Sequence, residues 1–498
     1  MSATRATTGS ALDAVVVGAG PNGVAAAITL AREGQSVRVL ERADAPGGGA
    51  RSSEATLPGF VHDTCSAIHP FGRTSPFFAG VNLERHGLRW VEPPAAFAHP
   101  LDGGRAVLVT RDVETTARSL GRDRDAYRRL MGPLVHHFGD LIPDILGPFH
   151  IPLRPRRALG LAWFGIHALQ PSSWLARRFR EDPARAVLAG AAAHSLLRLD
   201  EPISGAGALV MLGAAHHDGW PFPEGGAGRI TEALVAEATG LGVDISTQAA
   251  VESLADLPTS RVALFDTGPR ALAAVAAPRL PSRYTGKLRD YRYGPGVFKL
   301  DVALDGPIPW QNETVALAGT VHVGGTFEEI AASEADANAG RRNRRPFVLL
   351  AQQSLFDRTR APAGKHAIWA YCHVPSGTTV DYTDAILDQV ERFAPGFRAR
   401  IMALKATTPA ELEAYNPNNV GGDVTGGRID LRQLFTRPVA RIDPYSTPDP
   451  RLFLCSSSTP PGGGVHGMCG WHAAHSALRR LDADRTRLNA GRPPPEAR

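Results

Sequence analysis

One stretch near the N-terminus constrains the fold of this chain more than any other. A short apolar run rich in β-branched residues, Asp13–Val17, leads into the G-x-G-x-x-G turn Gly18–Gly23, and an alanine-rich stretch, Val24–Glu33, follows. A second apolar run, Ser36–Leu40, ends at Glu41. This order predicts a buried parallel strand, a tight turn, a helix, a second strand and a terminal carboxylate, which together bind a dinucleotide.

Each part of this motif has a physical role. Gly18 permits the tight turn, Gly20 lets the backbone approach a pyrophosphate, and Gly23 allows close packing of helix and strand. The pyrophosphate is expected at the N-terminus of the helix, where free N–H groups and the helix dipole attract negative charge. Glu41 follows Gly23 by 18 residues and is placed to accept hydrogen bonds from ribose hydroxyls.

Length and composition limit the remaining possibilities. At 498 residues the chain predicts about two to four domains. The formal charge of +5 is mild and no RNA- or DNA-binding signature accompanies it, so we expect no nucleic-acid partner. The four cysteines form no C-x-x-C pair, which argues against a disulfide scaffold, a zinc site or a redox dithiol. The sequence has neither an N-terminal signal core nor an apolar run of about 18 residues, so we expect a cytoplasmic protein.

Two further glycine-rich stretches indicate that the dinucleotide is FAD. Pro46–Ser52 lies close enough to the first turn to reach the same phosphates from the other side, and a simple NAD dehydrogenase has no need of it. Near the C-terminus, the strand-like run Arg451–Cys455 is followed by the turn Ser456–Gly467 and an alanine-containing helix. The N–H groups at the start of that helix would face the flavin pyrimidine, where reduced flavin carries negative charge.

These three segments resemble the phytoene desaturase-like branch of the flavin amine oxidase superfamily, and the similarity extends along the whole chain. Gly219–Gly226, followed by Ala250-Val251, is similar to the middle FAD segment of that family, which implies that the backbone of Val251 contacts adenine. Gly421–Asp423 and Leu434–Pro438 resemble a bacterial and mitochondrial subgroup described by a pyridine nucleotide-disulphide oxidoreductase domain. That description does not fit the residues, because the chain has no redox dithiol.

The resemblance implies an α/β fold in which a Rossmann-type FAD-binding domain, of the glutathione-reductase-2 kind, is interleaved with a substrate domain of mixed sheet plus helices. The FAD-binding domain would comprise residues 1–75, 220–275 and 415–498, and the substrate domain residues 76–219 and 276–414. Three short alternating runs predict the mixed sheet: Leu88–Val91, Ala106–Thr110 and Val297–Ala303.

Residues 130–200 are predicted to form a helical cap on the substrate domain. This region combines apolar helical stretches, interrupted by prolines, with clustered arginines: Arg154, Arg156, Arg157, Arg177, Arg178 and Arg180. One interpretation is a lid over an apolar tunnel that docks peripherally on anionic lipid. The other is a helical cap whose arginines are solvated.

The motifs and the resemblance together give a set of predicted FAD-binding residues. They are Gly18, Gly20, Pro21, Asn22, Gly23, Glu41, Arg42, Gly48, Gly49, Arg51, Val251, Ser457, Gly463, Gly464 and Val465. The chain departs from the family pattern at two of them. The family often has an acid on the flavin ribityl chain where this chain has Ser457, which would donate a hydrogen bond instead. Many relatives carry Arg where this chain has Gly49, and Arg51 is the candidate substitute.

Two side chains are candidates for catalysis. Lys299 lies on a strand that resembles the monoamine oxidase strand whose lysine holds a water at flavin N5, and a lysine that faces solvent is the alternative. His466 lies inside the C-terminal glycine turn, where it would hydrogen-bond the flavin O2 region, protonate the substrate or only cap the loop. The pairs His136-His137 and His216-His217 lack acids or thiols at metal-binding spacing, so we predict no metal.

Three functions stay open at this stage. The resemblance favours a desaturase, saturase or isomerase that transfers hydride between flavin N5 and an apolar or biosynthetic substrate. A flavin amine or amino-acid oxidase is the second; it needs an aromatic cage, and the run Gly462–Gly464 that would supply its tyrosine has no ring. The third is a non-catalytic binding protein, similar to the Rab GDP-dissociation inhibitors. The expected partners are a small apolar substrate and an electron acceptor, which is oxygen, a quinone or a carrier; the sequence does not determine the oligomeric state.

Overall fold

The computed structural model describes residues 11–149 and 155–490. Its β-strands are β1 Leu12–Val17, β2 Val37–Leu40, β3 Ser52–Ser53, β4 His62–Asp63, β5 Trp90–Val91, β6 Ala95–Leu101, β7 Arg105–Val109, β8 Phe222–Pro223, β9 Asp244–Ser246, β10 Ser260–Phe265, β11 Gly296–Leu304, β12 Ala318–Val323, β13 Val348–Ala351, β14 His366–Val374, β15 Ile401–Thr407 and β16 Leu452–Leu454. Its α-helices are α1 Pro21–Arg32, α2 Pro76–Val81, α3 Val113–Ser119, α4 Arg124–Ile145, α5 Pro155–Ala168, α6 Ser172–Ala176, α7 Asp182–Ala193, α8 Ser204–His217, α9 Gly228–Gly240, α10 Pro269–Val275, α11 Ser282–Arg289, α12 Phe327–Asn338, α13 Thr383–Phe393, α14 Pro409–Tyr415 and α15 Met468–Ala490.

A five-stranded parallel sheet carries the N-terminal motif. Its strand order is β16–β10–β1–β2–β9, so the sheet joins segments from the beginning, middle and end of the chain. The strands are apolar on both faces, with Val15, Val16 and Val39 fully buried, as expected for a parallel sheet covered by helices. The predicted strand–turn–helix–strand order is present as β1, α1 and β2. The predicted α/β fold with a Rossmann-type sheet is confirmed.

The carboxyl ends of these parallel strands meet at one edge of the sheet. Val17 pairs with Leu40 on one side and with Phe265 on the other, and Phe265 pairs with Leu454. The residues that follow the strands therefore lie side by side: Gly18, Glu41, Asp266 and Cys455. In open parallel sheets, ligands bind at this edge.

A seven-stranded mixed sheet lies apart from the parallel one. Its order is β15–β11–β14–β13–β12–β6–β7, and its neighbours are antiparallel except for β12 and β6, which are parallel. Two of the predicted runs lie in it as β11 and β7. The prediction for Leu88–Val91 was wrong, because β5 pairs with β8 in a separate two-stranded ribbon. An apolar run predicts a strand but does not specify its partner.

The chain between β7 and β8 is mainly helical and forms α3 to α8. Pro133 and Pro143 lie inside α4, so the predicted interruption by prolines was wrong there. A proline inside a helix removes a backbone hydrogen bond, and burial of Leu134, Phe138 and Leu141 in the core offsets that loss. Arg154 lies outside the described residues, as do the side chains of Arg156 and Arg157.

The predicted boundaries between the two domains stay a prediction. Across residues 11–149 and 155–490, we find no helix with the length and hydrophobicity needed to cross a bilayer.

Helices α1 and α15 pack against each other through a glycine. A Cβ atom built on Gly470 of α15 would lie 1.8 Å from the carbonyl oxygen of Asn22 on α1. On the other side of the same turn, a Cβ atom on Gly23 would lie 2.0 Å from the carbonyl oxygen of Gly18. The first turn of α1 is therefore held between strand β1 and the C-terminal helix at distances that admit no side chain.

We expect Gly470→Ala to destabilise the protein because its methyl group would overlap the α1 backbone. The free energy of unfolding should fall by about 1–3 kcal/mol, measured by chemical denaturation. The matched control is Gly286→Ala in α11, where a Cβ atom would meet nothing within 4 Å. That control should be neutral or stabilising by up to about 1 kcal/mol, because alanine favours the helix. Equal stabilities of the two variants would contradict the packing described here.

Candidate functional site

A cavity of about 1180 Å³ lies between the parallel sheet, the mixed sheet and the helical region. Ligand pockets commonly measure about 300–1,000 Å³, so this one has room for a dinucleotide and a second molecule. The predicted residues that line it are Gly18, Gly20, Pro21, Asn22, Glu41, Arg42, Gly48, Gly49, Arg51, Val251, Lys299, Ser457, Gly463, Gly464, Val465 and His466. Gly23 lies behind the turn, where it serves the packing described above.

The first two glycine-rich stretches face each other at one end of the cavity. A Cβ atom on Gly48 would lie 3.2 Å from the Cα of Gly20, and Gly48 has a φ of 52°, which favours glycine. Arg51 reaches back to its own loop, where its Nε donates to the Pro46 carbonyl oxygen at 3.0 Å. The glycines of these two loops expose backbone atoms, and no side chains of their own, to the cavity. Such exposed backbone is expected at a site that binds phosphate.

Glu41 is buried at the end of β2 and holds the glycine turn. Its Oε2 accepts a hydrogen bond from the Ala19 N–H and its Oε1 accepts one from the Ala43 N–H, both at 2.8 Å. Each oxygen keeps a second lone pair for a ligand. The predicted contact of Glu41 with ribose hydroxyls stays a prediction, and the geometry is compatible with it.

The first turn of α1 has the properties of an anion site. Its N-cap residue, Gly20, offers no capping side chain. Residue 21 is proline and the Gly23 N–H is bonded to Asp266, so the Asn22 N–H is the group at the helix start that is left for a ligand. Two side-chain oxygens of cavity-lining residues are buried and have no hydrogen-bond partner: Asn22 Oδ1 and Thr267 Oγ1. These orphaned atoms, together with the two glycine loops, fit a polyhydroxylated, doubly charged dinucleotide.

Asp266 is part of this end of the cavity, and the sequence analysis missed it. It follows β10, and its Oδ2 accepts a hydrogen bond from the Gly23 N–H at 2.8 Å. Burial raises the pKa of the Asp266 carboxyl group well above its ordinary value, and the nearby Glu41 carboxylate raises it further. The position at the end of a parallel strand was the available signal, because Gly18 and Glu41 follow the next two strands of the same sheet, β1 and β2.

The C-terminal turn forms the opposite wall. Ser457, Gly463, Gly464 and Val465 line the cavity directly before α15. The Nδ1 of His466 accepts a hydrogen bond from the Met468 N–H at 3.1 Å, at the start of that helix. Burial lowers the pKa of His466 to about 4, so its imidazole is neutral at physiological pH. Of the roles considered for His466, capping of the loop is the one this geometry supports.

Lys299 lies on β11 with its side chain inside the protein, which excludes the solvent-facing alternative. It is 3% exposed and lines the cavity, and its Nζ lies 2.5 Å from Asp301 Oδ2. Burial raises the pKa of the Asp301 carboxyl group although the Lys299 ammonium opposes the shift. This buried pair places a cation at the floor of the cavity.

An aromatic pair stands beside Lys299 on the neighbouring strand. Tyr371 pairs directly with Lys299, and its ring lies 4.9 Å from that of Trp369 in an edge-to-face arrangement. Both rings line the cavity, and the Trp369 Nε1–H has no hydrogen-bond partner. The run Gly462–Gly464 supplies no ring, as predicted, but the sequence analysis missed these two because the register of β14 against β11 was not predictable.

The rest of the cavity is an apolar arm that extends into the helical region. Its lining includes Leu161, Phe164, Ala168, Val210 and Met211. Phe149 and Phe435 line its outer end, with their ring centroids 5.3 Å apart, and they are 71% and 52% exposed. Within the described parts of the chain, no group of three or more residues has the arrangement of a metal site.

The chain is similar to known oxidoreductases along nearly its whole length. The family model described as an NAD(P)-binding Rossmann-like domain matches residues 16–79. The chain is 27% identical to the pyridine nucleotide-disulfide oxidoreductase domain-containing protein 2 of Rattus norvegicus, over 94% of each protein. It is 24% identical to the lycopene-forming phytoene desaturase of Pseudescherichia vulneris, over 93% of this chain and 98% of that protein.

Solved structures share its fold. An oxidoreductase from Methanosarcina mazei superposes with a TM-score of 0.63 at 16% identity, over 94% of this chain and all of that one. Wild-type putrescine oxidase bound to putrescine gives a TM-score of 0.59 at 16% identity, over 96% of this chain and 99% of that one. The predicted resemblance to phytoene desaturase-like proteins is confirmed, and the solved structures show a fold shared with putrescine oxidase.

We expect the affinity for FAD to fall as Asp266 ionises. Its raised pKa means that the carboxyl group stays neutral at pH values where an ordinary aspartate is charged, and ionisation at higher pH places an anion beside the pyrophosphate. The Kd for FAD should rise above that pKa by up to about tenfold per pH unit, measured by flavin fluorescence. Asp266→Asn should remove this dependence, whereas the exposed Asp44→Asn should preserve it. Parallel pH profiles for Asp266→Asn and the unmodified protein would contradict the assignment.

Proposed function

We propose that this chain is an FAD-dependent oxidoreductase that transfers hydride between flavin N5 and an apolar organic substrate, as a desaturase, saturase or isomerase. The observation that carries the proposal is the convergence of three distant glycine-rich stretches on one cavity whose remaining part is apolar. The relatives over nearly the full length, among them a phytoene desaturase, support this assignment.

The residues present fit FAD in a defined orientation. The Gly18–Gly20 turn and the start of α1 would bind the pyrophosphate, and Glu41 would bind the adenosine ribose. The backbone of Val251 would contact adenine at the same end. Ser457 and the Gly463–Val465 turn would then hold the ribityl chain and the flavin pyrimidine near the start of α15.

The flavin supplies the redox chemistry when it is bound, and the chain supplies orientation and charge. Lys299 Nζ is the residue group best placed to hold a water or stabilise a developing negative charge, because Asp301 keeps its ammonium paired inside the protein. His466 positions the pyrimidine turn through its hydrogen bond to the Met468 N–H. The apolar arm excludes water from the reacting end and accepts a bulky or extended substrate.

Amine oxidation is the second candidate, and one observation favours it. Trp369 and Tyr371 place two rings beside Lys299, and a neighbouring fold is that of putrescine oxidase. The lining of the arm by Leu161, Phe164 and Met211 favours the first candidate, and the Asp144 carboxylate, which also lines the cavity, is the group that would pair with an amine substrate in the second. Release of hydrogen peroxide on addition of amines, but not of polyenes, would favour the second candidate.

The cofactor assignment is tested on the purified protein. We expect a yellow protein with flavin absorbance, from which heat releases FAD. Gly20→Val should be colourless, because a Cβ atom at Gly20 would lie 2.6 Å from Asp266 Oδ2 and would occupy the pyrophosphate position. Gly286→Val, at a site with nothing within 4 Å, should keep full flavin content. A Gly20→Val variant with full flavin content would refute the site.

The role of Lys299 is tested by reoxidation of the reduced protein with oxygen. Lys299→Met combined with Asp301→Asn removes the cation without leaving a buried carboxylate unpaired. We expect the reoxidation rate to fall about 100-fold, because the ammonium no longer stabilises negative charge that develops on oxygen. Flavin content should be unchanged. The single variant Lys299→Arg, which keeps a cation beside Asp301, should reoxidise much faster than the double variant; equal rates for the two would show that the charge at position 299 is not the determinant.

A further inference from the structure

Two arginine side chains are fully buried in the part of the chain that the structure describes, Arg360 and Arg437. Arg360 has a counter-charge, because its Nη2 lies 2.6 Å from Asp63 Oδ2. Arg437 has none: across the described residues, no carboxylate oxygen lies within the 4.0 Å ion-pair distance of its guanidinium. Arg437 lines the cavity and Arg360 does not.

The guanidinium of Arg437 is held by backbone carbonyl groups alone. It donates to the carbonyl oxygens of Ser457 at 2.8 Å, Gly426 at 3.0 Å and Ser458 at 3.2 Å. Its Nη1 has no partner at all. These bonds fix the start of the C-terminal turn, but carbonyl dipoles do not neutralise a full charge.

One candidate for a protein counter-charge, Asp423, is already engaged elsewhere. Asp423 is fully buried, and both Asp423 and Arg437 influence the same tyrosine, Tyr291. The Asp423 carboxylate accepts hydrogen bonds from the Gly294 N–H and from the Thr425 N–H and hydroxyl, all at 2.7 Å. It therefore contributes a distant charge and not an ion pair.

A buried, permanently charged guanidinium without a carboxylate is costly. Such a cation at the wall of a ligand cavity is balanced when the ligand supplies negative charge. The pyrophosphate does not meet this need, because its site is at the start of α1, at the other end of the cavity. Among the described residues, the lining of the arm by Leu161, Phe164 and Met211 offers no cation to an anionic substrate. The flavin ring proposed beside the C-terminal turn, which gains negative charge on reduction, is the remaining source.

We propose that Arg437 is the counter-charge of the flavin, so that it raises the reduction potential of the flavin and positions the turn that carries Ser457. The inference rests on the proposed function and adds an electrostatic role for a residue outside the predicted site. The cation favours the electron-rich, reduced state over the oxidised state, since only the former gains negative charge on the pyrimidine.

The test uses the purified, flavin-loaded protein and two readouts other than turnover. One is the midpoint potential of the flavin. The other is the Kd for sulfite, which adds to oxidised flavin and leaves negative charge on the pyrimidine. Arg437→Met removes the charge at similar volume, Arg437→Lys keeps the charge but cannot reach three carbonyls, and Arg360→Lys controls for perturbation of a buried arginine.

We expect the unmodified protein to bind sulfite and Arg437→Met to bind it at least about tenfold more weakly, with a lower midpoint potential. Arg437→Lys should stay within about threefold of the unmodified sulfite Kd while its FAD affinity falls. Arg360→Lys should change neither flavin property. If Arg437→Met does not fold, the sulfite Kd of the unmodified protein and of Arg437→Lys still tests the inference. A charge role for Arg437 requires that both of these proteins bind sulfite.

Three results would overturn the inference. They are failure of the unmodified flavoprotein to bind sulfite, loss of sulfite binding in Arg437→Lys with flavin content retained, and an unchanged sulfite Kd in Arg437→Met. The last outcome would point to a structural role or to a substrate carboxylate. A chain purified without any capacity for FAD would instead refute the proposed function, so the two failures are distinguishable.

Discussion

The approach of backbone to backbone around the first turn of α1 is the constraint on which the rest of this structure depends. Gly23 meets strand β1 and Gly470 brings α15 against the carbonyl of Asn22, so the start of α1 is held from two sides. This packing places the start of the helix at the edge where the parallel strands end. The cavity exists at that edge because no side chain occupies the space.

Charge is distributed unevenly along the cavity. Glu41 and Asp266 lie at the end formed by the glycine turn, and the raised pKa of Asp266 limits their mutual repulsion. Lys299 and Arg437 lie toward the mixed sheet and the C-terminal turn. A ligand with hydroxyl groups at one end and an electron-accepting ring at the other matches this distribution. The apolar arm beyond the cations then receives a second molecule in a dry environment.

Local sequence patterns predicted the strand–turn–helix–strand unit at one end of the cavity. The glycine spacing, the helix after it and Glu41 are all set within one strand–helix–strand unit, where short-range geometry decides the structure. Lys299 and the C-terminal turn were also found, through the resemblance to known flavoproteins. Asp266, Trp369 and Arg437 were not found, because their positions in the cavity depend on strand order and loop packing between segments far apart in sequence. The prolines inside α4 were misjudged for a similar reason. Local sequence predicts that a proline ends a helix, but tertiary packing keeps α4 continuous through both prolines.

The parallel sheet and α15 also determine when a functional protein can exist during synthesis. Strand β16 forms one edge of the sheet, and α15 closes against α1, which is made more than 400 residues earlier. A ribosome-bound chain that still lacks residues 452–490 has the first glycine turn but neither the helix that supports it nor the opposite wall. Retention of the cofactor is therefore a late event, and premature termination within this final segment should yield a protein that cannot hold it.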